Sequence, residues 1–336
     1  MFLLVSPIKA ESNHSSSNRK PNYVKIRNVI VNSSATTVKT PTAIALGNFD
    51  GIHRGHMVVL QPILSLKQPQ VYNSVVSFEP HPRQFFTGEK LPLLTPKAEK
   101  ADYLKSLGFQ QLILIPFDRR LASLSPQEFV EQILVTQLQA KTISIGEDFR
   151  FGYQRQGTAQ KLQKIAAQLG MEVQINSLHK CQDRNQKSVR VSSSLIREAL
   201  AKGEIAQANF MLGRPYQLIG KVVTGKQIGR TIGFPTANLQ IPSDKFLPRY
   251  GVYAVRARID KNIVLGVMNI GCRPTVQGEQ PTIEAHLLDW SGDLYNQTIA
   301  VSLESFLRPE QKFASLEDLK QQINQDCTTA RSLLTS

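Results

Sequence analysis

The sequence has little cysteine and no long hydrophobic run. Its three cysteines, Cys181, Cys272 and Cys327, lie far apart, and none has a cysteine or histidine three or four positions away. This spacing argues against both a zinc site and a disulfide framework. The longest apolar run, Leu112 to Phe117, is far shorter than the ~18 residues that cross a bilayer, so we expect no membrane-spanning segment.

Acidic residues are also few. The 336 residues include 26 Asp and Glu against 40 Lys and Arg, a formal net charge of +14. This excess favours anionic partners, and nucleic acid, acidic lipid and nucleotide phosphates all fit it equally. Apolar residues form 41% and charged residues 20% of the chain, as in an ordinary soluble globular protein. At about 150 residues per domain, the length predicts two domains.

The first forty residues differ from the rest. They contain six basic residues against Glu11 alone, which gives 6 − 1 = +5 of the net charge, together with seven serines. Residues 1–40 are therefore predicted to form a flexible basic extension. An organelle transit peptide has this composition, but a polar tail or a misassigned start codon explains it equally well. We favour a polar tail or a misassigned start codon over a transit peptide, and we expect a cytoplasmic protein.

Short apolar strands alternate with capped helices from residue 42 onward. Helix starts are indicated by Thr95 before Pro96 and by a capping box from Ser125 to Glu128. Such alternation predicts parallel pairing in a doubly wound α/β sheet, which we place in a domain at residues 41–212. The predicted strands are 42–47, 71–78, 110–117, 141–146 and 171–177.

Beyond residue 213 the hydrophobic period changes to two, which predicts half-buried antiparallel strands in a small β-barrel. Ser315 and Asp318 then indicate the start of a last helix, whose stripe of Leu316, Leu319 and Ile323 is expected to pack against the barrel. This second domain is placed at residues 213–336. Its alternating segments are 251–259, 282–289 and 298–306.

The segment GNFDGIHRGH, residues 47–56, combines glycines with two histidines at the end of the first predicted strand. Gly55 permits a close approach to the backbone, a helix start offers free N–H groups, and His53 and His56 on one face can donate to phosphate oxygens. The pattern suits a polyphosphate. Solvated or turn-capping histidines explain it equally well from local chemistry alone, whereas a zinc site would lack a third ligand.

A second candidate site lies in TGKQIGRTIGFPTANL, residues 224–239. Its glycines, Gly229 and Gly233 among them, fit a nucleotide loop or a barrel corner. The Thr236 hydroxyl and the Asn238 carboxamide, two positions apart in an extended segment, offer oxygen ligands of the kind that Mg²⁺ takes. The segment therefore suggests a magnesium–nucleotide site.

The first half of the chain resembles the bacterial bifunctional riboflavin kinase/FAD synthetase family. GNFDGIHRGH, FEPHPRQFF at 78–86, GEDFRFG at 146–152 and VSSSLIREAL at 191–200 are similar to blocks of its FMN adenylyltransferase half. Ser194 stands where that family usually has threonine, so a hydroxyl is retained. The resemblance implies a Rossmann-like nucleotidyltransferase domain.

The second half resembles the riboflavin kinase half of the same family. TGKQIGRTIGFPTANL, RYGVYAV at 249–255, GVMNIGCRPTV at 266–276 and IEAHLLDW at 283–290 are similar to its blocks. The resemblance covers roughly residues 40 to 332. It implies an antiparallel β-barrel kinase domain with a C-terminal helix.

The resemblance also implies roles for residues of the first half. His53 and His56 would stabilise charge on the α-phosphate of ATP while the FMN phosphate attacks it and pyrophosphate leaves, and Arg197 would clamp the triphosphate. Positioning and electrostatics suffice for such a displacement. His81 and Asp148 are expected at the flavin, although Asp148 also fits a loop cap. The further ATP or phosphate ligands are Gly47, Phe49, Asp50, Gly55, Ser193 and Ser194, with Asp50 fitting a turn-holding role as well.

In the second half, the resemblance makes Glu284 the general base that accepts the proton of the riboflavin 5′-hydroxyl as it attacks the γ-phosphate. Gly229 and Gly233 are assigned to ATP, and Thr236 and Asn238 to Mg²⁺. A solvated glutamate on a strand is the alternative explanation of Glu284.

The predicted function is a bifunctional enzyme that makes FMN and ADP from riboflavin and ATP, and FAD and pyrophosphate from FMN and ATP. Two alternatives stay open: only one half is active or takes another substrate, or the chain is a basic nucleic-acid-binding protein. The barrel strands lack interleaved aromatic and basic residues, and no helix-turn-helix motif occurs, which argues against nucleic acid. We expect no nucleic-acid or membrane partner, and the sequence does not indicate an oligomeric state.

Overall fold

The structure, a computed structural model, describes most of the chain. The described residues are 23–26, 29–32, 38–177, 180–182, 188–225, 229, 232–275 and 278–335. Most of the predicted extension therefore lies outside the described residues. Within them, no helix is both long and apolar enough to cross a membrane.

The region up to Leu212 alternates strands and helices. Its strands are β1 Tyr23–Ile26, β2 Val29–Asn32, β3 Thr42–Leu46, β4 Tyr72–Glu79, β5 Gln111–Pro116, β6 Ala140–Gly146, β7 Arg150–Phe151, β8 Gly157–Thr158, β9 Glu172–Asn176, β10 Lys180–Gln182 and β11 Ser188–Arg190. Its helices are α1 Arg54–Ser65, α2 Pro82–Thr87, α3 Lys97–Leu107, α4 Arg119–Ser123, α5 Pro126–Glu128, α6 Ala159–Gln168, α7 Ser193–Lys202 and α8 Ile205–Leu212, with a π-helical segment at Phe129–Gln137 and a 3₁₀ turn at Tyr153–Arg155.

Seven strands form one sheet in the order β1-β2-β5-β4-β3-β6-β9. All neighbours in it are parallel except β1 and β2. The predicted doubly wound α/β arrangement is confirmed. From β3, the chain first winds outward through β4 and β5 and then crosses to the other side of β3 through β6 and β9. Ligands bind at the carboxyl ends of strands beside such a reversal, which here lies between β3 and β6.

Two strands of this sheet come from the predicted extension. Strand β2 joins the edge of the sheet parallel to β5, and β1 pairs antiparallel with β2. The structure differs from the predicted extension at these residues. Val29, Ile30 and Val31 form a β-branched run of high strand propensity, which pairs with the otherwise open edge of β5.

Most helix starts follow the predicted local signals. The Ser125 hydroxyl accepts from the Glu128 backbone N–H at 3.2 Å, and the Glu128 carboxylate accepts from the Ser125 N–H at 2.8 Å. Thr95 does not cap α3, because Pro96 occupies the N-cap position. The Thr95 hydroxyl instead accepts from the N–H of Gly51 at 2.9 Å. A long-range contact thus replaces the predicted local one.

The remaining strands close into an antiparallel barrel, which is followed by a helix. The strands are β12 Tyr216–Val223, β13 Ala237–Gln240, β14 Gly251–Ile259, β15 Asn262–Thr275, β16 Gly278–Leu287 and β17 Thr298–Arg308, and the helix is α9 Leu316–Thr335. Around the barrel the strands follow the order β12-β13-β16-β15-β14-β17. This confirms the predicted barrel and C-terminal helix. On β16, Ile283, Ala285 and Leu287 are buried in the core, whereas Glu284 and His286 are partly exposed on the other face.

Helix α9 packs on the barrel through its second half. Ala330 and Leu334 are buried against β14, and Asp326 forms an ion pair with Arg308 of β17 at 2.7 Å. The predicted apolar stripe at the start of the helix is wrong for its first residue, since Leu316 is 54% exposed. The ion pair and the buried side chains of Ala330 and Leu334 hold the second half of the helix against the barrel.

Candidate active sites

A cavity of about 740 Å³ opens where β3 and β6 end, beside the reversal of the sheet. Its volume lies in the range of small-molecule sites. Every residue predicted for the ATP and flavin sites of the first half lines it: Gly47, Phe49, Asp50, His53, Gly55, His56, His81, Asp148, Ser193, Ser194 and Arg197. The sheet topology brings these separate motifs together.

His53 and His56 form a stacked pair at the start of α1, with ring centroids 3.6 Å apart. The Nδ1 atom of His53 accepts from the His56 N–H at 3.2 Å, and the Nδ1 atom of His56 faces the His53 N–H at 3.4 Å. Because both Nδ1 atoms accept, a neutral ring carries its proton on Nε2. Each imidazole therefore keeps one N–H donor for a ligand. A Cβ at Gly55 would lie 3.2 Å from the His53 ring, so glycine permits this close packing.

Burial keeps both rings neutral. It lowers the pKa of His53 from 6.5 to about 4, although the Asp50 charge acts in the opposite direction. Burial also lowers the pKa of His56 well below 6.5, and the charges of His53 and Lys100 add to that effect. At neutral pH the pair can thus donate hydrogen bonds to an anion without titrating.

Asp50 and Arg197 are engaged with each other and with a neighbouring segment. The Asp50 carboxylate accepts from the N–H groups of Leu94 and Thr95 at 3.2 and 3.1 Å and forms an ion pair with Arg197. Arg197 also donates to the carbonyl of Pro92 at 3.1 Å. These contacts favour the turn-holding role of Asp50. A direct contact of either residue with phosphate stays a prediction.

Helix α7 presents its first turn to the cavity. Its N-cap is Ser192, whose hydroxyl accepts from the Leu195 N–H at 3.3 Å. Ser193 and Ser194 are therefore the first two helical residues, at an end that attracts anions. The Ser193 hydroxyl donates to the carbonyl of Asp50 at 2.8 Å, and Ser194 is exposed. Sequence reasoning missed Ser192, although a serine before an apolar periodic run is a cap signal.

Sequence reasoning also missed an aromatic wall of the cavity, Phe78, Phe86 and Phe117. Phe86 is 70% exposed, and its ring meets that of Phe117 edge to face at 5.7 Å. An exposed aromatic ring at a cavity suits a flat aromatic ligand. The two predicted flavin residues lie at the same cavity. His81 also caps α2 by accepting from the Arg83 N–H at 3.1 Å.

The second candidate site lies on the outer face of the barrel. Glu284 on β16 is in register with Asn238 on β13 and with Asn269 on β15. The carboxylate oxygen Oε1 of Glu284 forms an ion pair with Arg273, which sequence reasoning did not identify. His286, two positions along β16, contacts the carbonyl of Pro235 through Nδ1 at 2.8 Å. Two neighbouring strands and one loop thus converge at Glu284.

The glycines of this site permit close backbone packing. A Cβ at Gly229 would lie 2.3 Å from the carbonyl oxygen of Phe234, whose N–H donates to the Gly229 carbonyl at 2.8 Å. Gly233 has a φ of +90°, which favours glycine. The predicted loop is therefore tightly folded at its described residues. Residues 226–228, 230 and 231 lie outside the description.

Thr236 and Asn238 fit a magnesium ion by their chemistry. The Thr236 hydroxyl and the Asn238 carboxamide both offer oxygen atoms, the kind of ligand that Mg²⁺ takes. The carboxamide lies over Gly225, where a Cβ would come within 2.3 Å of its nitrogen. The described residues contain no cluster of three His, Cys, Asp or Glu side chains suited to a metal. Mg²⁺ tolerates such a sparse set because phosphate and water complete its shell.

Comparison with known proteins bears on both regions. A family model described as FAD synthetase matches residues 35–194, and one described as riboflavin kinase matches residues 212–334. The bifunctional riboflavin kinase/FMN adenylyltransferase of Escherichia coli strain K12 is 41% identical over 86% of this chain and 91% of its own. The protein of the same description from Haemophilus influenzae is 39% identical over 90% of this chain and 97% of its own.

A solved structure shares the whole architecture. It is described as a macrolide-efflux protein from Streptococcus pneumoniae, and it covers 91% of this chain and 99% of its own with a TM-score of 0.77 and 29% identity. The likeness concerns the arrangement of the sheet and the barrel. The two family models and the curated relatives show that this chain belongs to the bifunctional riboflavin kinase/FMN adenylyltransferase family, with the FAD synthetase half first and the riboflavin kinase half second.

Proposed function

We propose that both halves are active in this chain. The barrel transfers the γ-phosphate of ATP to the 5′-hydroxyl of riboflavin and gives FMN and ADP. The α/β region transfers the AMP group of a second ATP to FMN and gives FAD and pyrophosphate. The observation that carries the adenylyl-transfer half is the pair of neutral imidazole donors at a cavity beside the reversal of the sheet, and Glu284 beside Asn238 and Arg273 supports the kinase half. We place the boundary between the two units between Leu212 and Gly213.

In adenylyl transfer, an oxygen of the FMN phosphate attacks the α-phosphorus of ATP while the bond to the bridging oxygen of pyrophosphate breaks. The Nε2–H groups of His53 and His56 would donate to the phosphate oxygens on which charge develops. The first turns of α1 and α7 would add backbone N–H donors, from Gly55 and Ser194 among others. The ring system of FMN would lie against the aromatic wall, with His81 and Asp148 nearby.

In the kinase reaction, the attacking group is an alcohol that must lose its proton. Arg273 engages Oε1 of Glu284, so we assign the proton to Oε2. Thr236 and Asn238 would hold Mg²⁺, which would draw charge from the phosphates of ATP when bound. The loop at Gly229 and Gly233 would surround those phosphates.

The proposed partners are limited to riboflavin, FMN, FAD, ATP, ADP and pyrophosphate. Nucleic acid and membranes are not part of the proposal. We place the protein in the cytoplasm, because both reactions draw on the ATP pool there.

The test is a time course with purified full-length protein, riboflavin, ATP and MgCl₂, in which the three flavins are separated by chromatography. We expect FMN to rise first and FAD to follow. Absence of FMN from riboflavin would refute the kinase half, and absence of FAD from supplied FMN would refute the adenylyltransferase half. A salt-dependent shift of RNA or DNA at submicromolar protein, without flavin turnover, would favour the nucleic-acid alternative.

A further inference from the structure

The turn that precedes the two histidines has an unusual backbone. Phe49, Gly51 and Ile52 have φ values of +47°, +89° and +41°. Glycine adopts such values readily, but a β-branched residue such as Ile52 does so only with backbone strain. Such strain persists only where neighbouring groups hold the backbone. The turn ends at His53, so whatever holds it also orients the histidine pair.

Arg214 holds this turn from the junction between the two regions. Its Nη2 atom donates to the carbonyl of Gly51 at 2.7 Å, and its Nη1 atom donates to the carbonyl of Ile52 at 2.9 Å. The guanidinium lies over the ring of Tyr103, 4.0 Å from its centroid. The planar fork of arginine thus binds two successive carbonyls of the strained turn. Arg214 follows α8 and precedes β12, so it belongs to the connection that leads into the barrel.

A second set of contacts, through Asp50, also ties the turn to the barrel region. Asp50 accepts from Leu94 and Thr95, as described above. Lys245, which lies between β13 and β14, donates to the carbonyl of Leu94 at 2.9 Å and forms a buried ion pair with Glu99. The turn is therefore held directly by Arg214 and indirectly, through Asp50 and Leu94, by Lys245.

We infer that Arg214 is a positioning residue for adenylyl transfer. It fixes the carbonyls of Gly51 and Ile52, which sets the direction of the Nε2–H donors of His53 and His56 toward the reacting phosphate. It donates hydrogen bonds to the carbonyls of Gly51, Ile52 and Leu212, and none of these three involves the Glu284 site. This inference rests on the proposed function of the first half, and the wild-type protein tests that function separately.

The decisive variant is Arg214→Met, which keeps the aliphatic stem and removes the donors. Because small displacements of catalytic groups are costly, we expect kcat for FAD formation from supplied FMN to fall about 100-fold. We expect KM for FMN to change less than about threefold, as for groups that act on the transition state. FMN formation from riboflavin by the same preparation should stay at the wild-type rate, which also reports that the barrel is folded.

Arg249→Met is the matched control. Arg249 also lies at the junction, over the ring of Phe306 at 5.0 Å, and donates to the carbonyl of Lys202 at 3.4 Å, but it has no described contact with the turn. We expect it to leave FAD formation within about twofold of wild type, as is usual for exposed substitutions. Arg214→Lys, which retains charge and single donors, should fall between wild type and Arg214→Met.

Three results would overturn the inference. They are an unchanged kcat in Arg214→Met, an equal loss of both activities, and an equal loss of FAD formation in the Arg249→Met control. A wild-type protein that forms no FAD at all would instead refute the proposed function of the first half. The two failures are therefore distinguishable in one set of assays.

Discussion

The two candidate sites differ in the charge state and exposure of their main side chains. In the α/β region, His53 is 5% exposed and kept neutral by burial in a large cavity. On the barrel, the side chains of Glu284 and Arg273 are 23% and 40% exposed and form an ion pair. The difference follows from the nucleophiles. A phosphate is already anionic and needs donors that do not titrate, whereas an alcohol needs a carboxylate to accept its proton.

The folds themselves impose this difference. A parallel sheet that reverses its winding leaves a crevice at its carboxyl edge, where loops from several strands enclose a ligand. A closed six-stranded barrel has its interior filled by side chains such as Ile283 and Leu287, so its polar site lies on the outside.

The largest expected effect concerns the enclosed site, which is the cavity of the α/β region. In the double variant His53→Asn with His56→Ala, we expect FAD formation from supplied FMN to fall about 10⁴-fold, since each lost Nε2–H donor to developing charge costs about 10²–10³. Asparagine at position 53 retains a helix cap. Initial rates of FAD formation measure the loss, and FMN formation in the same preparation is the control. A loss below about tenfold would remove the histidines from the mechanism.

The next effect tests the open site. Glu284→Gln keeps size and shape but cannot take a proton, so we expect kcat for FMN formation to fall about 10³-fold. FAD formation from supplied FMN should stay unchanged. Glu304→Gln is the matched control, because Glu304 is also a barrel glutamate paired with an arginine, Arg256, at 3.7 Å. Equal losses in both variants would reduce Glu284 to a structural ion-pair partner.

Sequence reasoning succeeded where the structure depends on neighbours along the chain. Hydrophobic period predicted the sheet and the barrel, and the short segment from Gly47 to His56 contains a helix start and both donors. The face of β16 that presents Glu284 followed from simple alternation. Local geometry and local chemistry coincide at these places.

It failed where contacts join distant residues. Arg214 and Gly51 are 163 positions apart, and Asp50 and Arg197 are 147 apart. No local pattern marks an arginine as the partner of two backbone carbonyls. Thr95 was expected to cap a helix for the same reason, because its real partner, Gly51, lies 44 positions away. The connections that hold the enclosed site are thus the ones that sequence alone does not reveal.

A smaller effect concerns the metal at the open site. Asn238→Ala removes one of two neutral oxygen ligands, so we expect the Mg²⁺ concentration for half-maximal FMN formation to rise about tenfold, within the range for lost metal-site groups. The Mg²⁺ dependence of FAD formation should not change, because Asn238 does not line the cavity of the first half. If the Mg²⁺ concentrations for half-maximal FMN formation and FAD formation rose equally, Asn238 would affect the stability of the fold and would not bind the metal.

The smallest effect is a pH dependence of stability that belongs to the enclosed site. His53 has a pKa of about 4 in the folded protein and 6.5 as an ordinary histidine. Between these values the unfolded chain binds more protons, so this histidine makes the free energy of unfolding fall as the pH decreases from about 6.5 toward 4. Urea unfolding at pH 7 and pH 5, monitored for wild type and for His53→Asn, should show a smaller decrease in the variant. Equal decreases would mean that His53 is not held neutral by burial, and the contrast between a neutral enclosed site and an ionic open one would lose its basis.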